Sequence, residues 1–226
     1  MKKWSDKCFD MMANFCDKGL RMCGPVLSIL AISLIFMVVY SFFMNILPFL
    51  YHQYGFIYSM FITIIGAYLL FNILYNYYLV STTSPGAPPK ELSHNIKVQC
   101  EYDPELIFER LHLSLQDETI SLNEKYYRYC KKCDKNKPMR SHHCSICNIC
   151  VLKMDHHCPW INNCVGHYNH VYFMLFLIYL CIGSGFFLLT GLQQNYDNLI
   201  GNDDGNDSII NLMATIMATA ALIATF

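Results

Sequence analysis

Charge is missing from long stretches of this chain. Only 15% of its 226 residues are Asp, Glu, Lys or Arg, and none of them falls in residues 26–47, 56–80 or 171–192. Each gap is long enough to cross a bilayer as a helix, which excludes an ordinary soluble globule. No small-residue cleavage pattern follows the first run, and its length is wrong for a secretory signal, so it is not read as one. There is no convincing internal repeat and no partner-binding repeat. The one compositionally biased tract is a short Asn/Asp-rich loop near the end. Net charge is −1, so bulk charge says nothing about nucleic acid.

What is present is unevenly placed. Residues 1–24 are polar and basic, with Lys2, Lys3, Lys7, Lys18 and Arg21. The first apolar run, 25–47, is predicted to end at Pro48, with "PFLYHQYG" as a short interfacial turn. A second helix is expected over 56–80, where Asn72 and Asn76 are read as helix–helix hydrogen bonds. "STTSPGAPP" then breaks it. Residues 81–125 form a linker with a weakly helical pattern over Asp103–Leu115, and 126–170 hold the cysteine-rich segment. A third helix is expected over 171–192 and an acidic loop over 193–208. Residues 209–226 are apolar to the last residue, read as an incomplete fourth helix with a tail missing beyond it. A natural terminus without a tail is the alternative.

All 16 Lys and Arg lie in residues 1–24 or 81–170, while the loops 48–55 and 193–208 have none. By the positive-inside rule the N-terminal segment and the cysteine-rich segment face the cytosol, and Asp197, Asp203, Asp204 and Asp207 face the other side. The sequon Asn206-Asp207-Ser208 abuts the fourth helix and is expected to be poorly accessible. The fold expected is an all-α polytopic membrane protein of four transmembrane helices, with a cytosolic zinc-binding domain between the second and third.

Cysteine is the other concentration. Of twelve, Cys130, Cys133, Cys144, Cys147, Cys150, Cys158 and Cys164 crowd into one segment together with His142, His143, His156 and His157. A reducing cytosol disfavours disulfides and favours metal. Structural zinc takes four Cys or His ligands with no open position. Eleven candidates fill two such sites and leave three over, but spacing alone does not say which.

These residues resemble the DHHC-type protein S-acyltransferases, whose cysteine-rich domain reads C-x2-C-x9-H-C-x2-C-x2-C-x4-D-H-H-C-x5-C-x4-N-x3-F. Cys130, Cys133, His143, Cys144, Cys147, Cys150, Asp155, His156, His157, Cys158, Cys164, Asn169 and Phe173 satisfy every position. "SPG" at Ser84–Gly86 is similar to the family's Asp-Pro-Gly element, with Ser in place of Asp. The Thr-Thr-x-Glu element that follows the family's fourth helix is not in this sequence.

The resemblance implies two interleaved structural zinc sites, one of Cys130, Cys133, His143 and Cys150, the other of Cys144, Cys147, His157 and Cys164. It leaves Cys158 as nucleophile, His156 as base and Asp155 as the group orienting it. It implies transfer of a long-chain acyl group, palmitoyl, from acyl-CoA to cysteines of substrate proteins, in the endoplasmic reticulum or Golgi membrane. Lys137, Arg140 and His142 are candidates for the CoA phosphates. Trp160, Phe173 and Phe176 are candidates for the acyl chain, with Gly183 and Gly185 leaving room beyond. The expected partners are the bilayer, acyl-CoA and proteins with membrane-proximal cysteines, and not nucleic acid. Other readings of the cysteine-rich segment are a catalytically silent zinc adaptor, a nucleic-acid-binding zinc module and a thiol oxidoreductase. Cys8, Cys16 and Cys23 are either juxtamembrane palmitoylation sites or plain thiols. Cys181 is read as packing, and Cys100 is unassigned.

Overall fold

The computed structural model describes residues 2–88, 127–200, 214–216 and 218–220. The expected helical pattern at Asp103–Leu115, Cys100, Asp203, Asp204, the sequon at Asn206 and most of the expected fourth helix lie outside these residues. So do the side chains of Cys8, Cys16 and Asp197. The chain divides into two compact units: residues 1–83, 158–163 and 169–226 make one, and residues 84–157 and 164–168 the other.

The first unit is helical. Helix α1 (Lys2–Ser41) runs through a π turn, Phe42–Ile46, into α2 (Leu47–Tyr54); α3 is Phe56–Thr82 and α4 is His170–Ile200. Among the described residues, three stretches are long and apolar enough to cross a membrane: Arg21–Tyr54, Phe56–Thr82 and His170–Leu192. Pro48 does not end the first of them, contrary to expectation. It is the second residue of α2, directly after the π turn. The preceding π turn, closed by the Leu47 N–H donating to the Phe42 carbonyl, carries the backbone past it. The break comes at Gly55, whose φ of 83° lies in the region glycine adopts without strain.

With no water in a bilayer core, polar side chains turn to their own backbone. Asn72 Nδ2 donates to the Tyr68 carbonyl and Asn76 Nδ2 to the Asn72 carbonyl, each at 2.8 Å. This corrects the expectation of helix–helix bonds for these amides: the carbonyl one turn back is the nearest acceptor. Phe42, Ile46, Leu50, Ile62 and Phe187 form a buried apolar cluster that also takes in Ala214 and Ala218. Those two alanines belong to helical residues 214–216 and 218–220.

At its C-terminus α3 leaves carbonyls without intrahelical donors. Side-chain amides satisfy them. Asn163 Nδ2 lies 3.1 Å from the Val80 oxygen, 3.3 Å from Ser81 and 3.0 Å from Thr83. Asn169 Nδ2 reaches Val80 and Thr83 at 3.3 and 3.4 Å.

The second unit is not helical among its described residues. β1 (Tyr127–Cys130) pairs with β2 (Lys135–Pro138), and β3 (His142–Cys144) with β4 (Ile149–Val151), both antiparallel. β5 (His157–Cys158) and β6 (Asn163–Cys164), at the boundary between the units, form a third pair. The all-α expectation is thereby corrected to mostly helical: strands of two to four residues carry no readable alternation, and metal-ligand turns rather than apolar periodicity set them. The tight turns put Asp134, Arg140, Asn148 and Lys153 at positive φ.

The Ser84–Gly86 element belongs to this unit. The Gly86 carbonyl accepts the Leu152 N–H at 2.9 Å, and the Pro85 carbonyl the Tyr168 N–H at 3.4 Å. Gly166 sits in the resulting crossing. A Cβ there would stand 2.7 Å from both the Pro85 oxygen and Val151 Cγ1, and 3.0 Å from the Leu152 oxygen. Gly166→Ala is expected to cost about 1–3 kcal/mol of stability and to lower Tm visibly, whereas Gly185→Ala, with nothing within 4 Å of the added carbon, leaves Tm within error. Equal Tm for the two variants would contradict the packing described.

Candidate metal centres and nucleophile loop

Two ligand clusters form within the second unit. Cys130, Cys133, His143 and Cys150 make one; Cys144, Cys147, His157 and Cys164 make the other, and in each the four donor atoms lie within 4.8 Å of one another. Strand geometry explains how adjacent residues serve different clusters. Successive side chains on a strand point to opposite faces, so β3 presents His143 to one cluster and Cys144 to the other. His143 faces Cys150 directly across the β3–β4 pair. Each Cys-x2-Cys is a turn, and at the second the Cys147 N–H donates to Cys144 Sγ at 3.3 Å.

The donor sets fit zinc. Four ligands at about 2.3 Å for sulfur and about 2.0–2.1 Å for nitrogen give tetrahedral edges of about 3.8 Å between sulfurs and about 3.6 Å between sulfur and nitrogen. In the second cluster His157 Nδ1 lies 3.8, 3.4 and 3.5 Å from the sulfurs of Cys144, Cys147 and Cys164, and Cys147 Sγ is 3.5 Å from Cys164 Sγ. In the first, Cys133 Sγ is 3.1 Å from His143 Nδ1 and 3.7 Å from Cys150 Sγ. Nδ1 faces the sulfurs in both, while each Nε2 is buried with no hydrogen-bond partner among the described residues.

Electrostatics agree with a cation. Burial, and then the neighbouring Cys130 and Cys133, push the Cys150 thiol up to about 12. Burial, then Cys144 and Cys147, push Cys164 up as well. Crowded thiols of this kind ionise when a divalent ion supplies the opposing charge. Burial holds both imidazoles in the neutral, metal-binding form, helped at His143 by Lys132 and Lys137 and at His157 by His156.

Three candidates remain outside both clusters. Asp155 and His156 are exposed and paired, Oδ2 to Nδ1, at 3.4 Å. Their backbone is fixed in the second unit: the Asp155 N–H donates to the Val165 carbonyl at 3.0 Å, and the Val165 N–H to the His156 carbonyl at 2.8 Å. Cys158 belongs to the first unit and is buried. Burial pushes its thiol up, while the Trp160 and Ile161 N–H groups that hydrogen-bond to it act the other way.

The remaining candidates are more dispersed. Lys137 lies on β2, Arg140 is exposed in the turn after it, and His142 is exposed at the start of β3. Trp160 is half exposed; Phe173 and Phe176 are half-buried on α4, Phe176 with its ring edge to Tyr77 at 5.4 Å. Gly183 lies against α3, where a Cβ would meet Ile73 Cδ1 at 2.9 Å, so its smallness serves helix packing. Asn163, Gly166 and Tyr77 were not anticipated. An asparagine capping a helix eighty residues away leaves no local signature.

Residues 123–226 match the family model of the DHHC palmitoyltransferases. That is the segment holding both clusters, Asp155, His156 and Cys158. The match extends further among curated relatives. The chain is 34% identical over 178 residues to palmitoyltransferase ZDHHC16B of Danio rerio, covering 79% of this chain and 39% of that one. It is 36% identical over 185 residues to palmitoyltransferase ZDHHC16 of Bos taurus, covering 79% and 40%. Over these residues the chain is similar to the DHHC palmitoyltransferases. A plant relative, probable protein S-acyltransferase 14 of Arabidopsis thaliana, is 40% identical over 121 residues, 52% of this chain and 38% of its own. The chain spans about two fifths of the length of these DHHC relatives.

Two expectations follow for the metal centres. Purified chain should carry two zinc ions; His157→Ala should lose at least one, and His156→Ala should keep both, by elemental analysis. Loss of metal from both variants alike would contradict the ligand assignment. His143, His157 and the six thiols must be deprotonated to hold metal, so acidification releases it and takes its folding free energy with it. Tm should fall between pH of about 7.5 and 5.5; a rising Tm contradicts it.

Proposed function

We propose that this chain is an integral-membrane protein S-acyltransferase that passes a long-chain acyl group, palmitoyl, from acyl-CoA to cysteines of substrate proteins through Cys158. The observation that carries the reading is Cys158 itself. It is the one cysteine of the cysteine-rich segment outside both four-ligand clusters, and it is buried. Of the Asp155–His156 pair, Asp155 precedes it by three residues and His156 by two. The likeness to the DHHC palmitoyltransferases suggests the reaction class.

Cys130, Cys133, His143 and Cys150, and Cys144, Cys147, His157 and Cys164, would hold zinc, which would supply folding free energy rather than chemistry. His156 takes the Cys158 proton, with Asp155 favouring the imidazolium that results. The thiolate sulfur bonds to the acyl carbonyl carbon, the bond to the CoA sulfur breaks, and the imidazolium returns its proton to the leaving thiolate. A substrate cysteine then repeats the exchange on the acyl-enzyme. Thioester replaces thioester, so the task is positioning. Trp160, Phe173 and Phe176 receive the acyl chain, whose burial is worth about 0.8 kcal/mol per CH2. Lys137, Arg140 and His142 meet the CoA phosphates.

The topology that goes with this is four spans, with 209–226 in the fourth. The basic N-terminal and cysteine-rich segments face the cytosol, in the endoplasmic reticulum or Golgi. The positive-inside distribution of Lys and Arg supports the orientation. The test is incubation with labelled palmitoyl-CoA. Hydroxylamine-sensitive label should appear on the unmutated chain and be absent from Cys158→Ser, with both retaining zinc. Equal labelling of the two would reject Cys158 as the nucleophile.

A further inference from the structure

Positive charge gathers on one hairpin of the cysteine-rich unit. Strands β1 and β2 and the turn between them carry Arg128, Lys131, Lys132, Lys135 and Lys137 against a single acid, Asp134. All of these cations except Lys137 are exposed. The register sets Arg128 directly opposite Lys137, with Lys135 two residues along, so three cations share one face of a two-stranded pair. Like charges opposite each other weaken such a pair. The acids do not offset this by pairing. The Asp134 carboxylate receives the Tyr129 hydroxyl, and Asp155, the other acid among the unit's described residues, pairs with His156. Among the described residues no Lys or Arg makes an ion pair.

The layout of these charges says what kind of anion suits them. From Arg128 to the turn they extend about 10 Å, at about 3.3 Å per residue, and none of the five is buried. A single phosphate group is best held by converging donors in a recess. An open, extended set of cations instead suits many anionic groups spread over a surface. The connectivity of the chain says where such a surface is found. The unit begins at Ser84, two residues after α3 ends, and its Tyr168 stands two residues before α4 begins. The chain passes between this unit and the helical one four times between residues 83 and 169. Both α3 and the first part of α4 are long and apolar enough to cross a bilayer. The unit is therefore tethered beside whatever membrane they enter.

We propose that the β1–β2 hairpin is a docking surface for the anionic phospholipid headgroups of the leaflet beside it. Lys and Arg near such a leaflet are drawn to its negative surface potential, an attraction that salt screens over about 10 Å. The contact steadies the cysteine-rich unit on the membrane without calling on its small apolar cluster. The proposal rests on the membrane-spanning reading above and not on acyl transfer. Lys137 stays with the CoA phosphates of that reading, and the lipid contact is made by Arg128, Lys131, Lys132 and Lys135.

The experiment uses the full chain in nanodiscs of phosphatidylcholine, alone or with about 30% phosphatidylserine. Lysines are acetylated with a neutral N-hydroxysuccinimide ester at fixed pH, and the rate at each one is read by peptide mass spectrometry. Lys131, Lys132 and Lys135 should acetylate about fivefold more slowly in the anionic discs, and the difference should vanish in about 1 M salt. Lys153, outside the hairpin, is the internal reference. In the double variant Arg128→Gln/Lys135→Gln, with zinc content unchanged, Lys131 and Lys132 should regain most of the lost rate. Should that variant lose zinc, the two lipids and the salt series decide on the wild-type chain alone. Equal rates in the two lipids would overturn the proposal, leaving a solvated face or a site for an acidic protein. A slowing shared equally by Lys153 would overturn it as well, since that reports bulk surface charge. So would a slowing caused by free coenzyme A in phosphatidylcholine discs and not by phosphatidylserine, which would give these cations to the acyl donor. A chain that fails to enter the discs would reject the membrane-spanning reading itself. Acyl labelling of Cys158 is a separate readout, so the lipid contact can fail while the acyltransferase reading stands.

Discussion

Two interleaved sets of three sulfurs and one nitrogen hold the cysteine-rich unit together, and little else could. A small buried apolar cluster among its described residues is Cys144, Val151 and Cys164, with Ile146, Cys147 and Met154 around it, and half of those six residues are themselves ligands. A segment with so small a core needs another source of folding free energy, which ligand closure around a cation supplies. Interleaving extends the effect. The first cluster ties Cys130 to Cys150 and the second ties Cys144 to Cys164, so the two closed loops overlap over the β3–β4 hairpin. Gly166 and the Pro85–Gly86 element fit against the same hairpin because there is room for backbone only.

The first unit answers a different constraint. Its helices are long and apolar enough to cross a bilayer, where carbonyls at a helix end gain most from partners inside the protein. The C-terminus of α3 is where this matters most. Asn163 and Asn169 cover its carbonyls, and Tyr77, one turn earlier, spends its hydroxyl on Trp160. Residues that satisfy a helix end thereby also hold the short segment that starts at Cys158.

Much of this is written plainly in the sequence and some of it is not. The three apolar helices follow from composition, because a bilayer selects on length and lack of charge alone. Pro48 misled because its effect depends on position within a turn, and a π turn does not announce itself in residue types. Asn72 and Asn76 misled because a carbonyl one turn back competes with any neighbouring helix. The wealth of Cys and His declares metal, yet spacing left the ligand sets open. The physical reason for their interleaving is the alternation of strands too short to leave a pattern. Tyr77 was invisible among sixteen tyrosines, since a long-range hydroxyl–carbonyl contact has no local signal.

The account stands or falls on a separation between metal that shapes and a thiol that reacts. Zinc-edge X-ray absorption of the loaded chain, with and without palmitoyl-CoA, tests it most directly. The account predicts an average shell of three sulfurs at about 2.3 Å and one nitrogen at about 2.0–2.1 Å, unchanged by the acyl donor. A light-atom ligand beyond that nitrogen, or a shell that alters when acyl-CoA is added, would put the metal in the chemistry and contradict it.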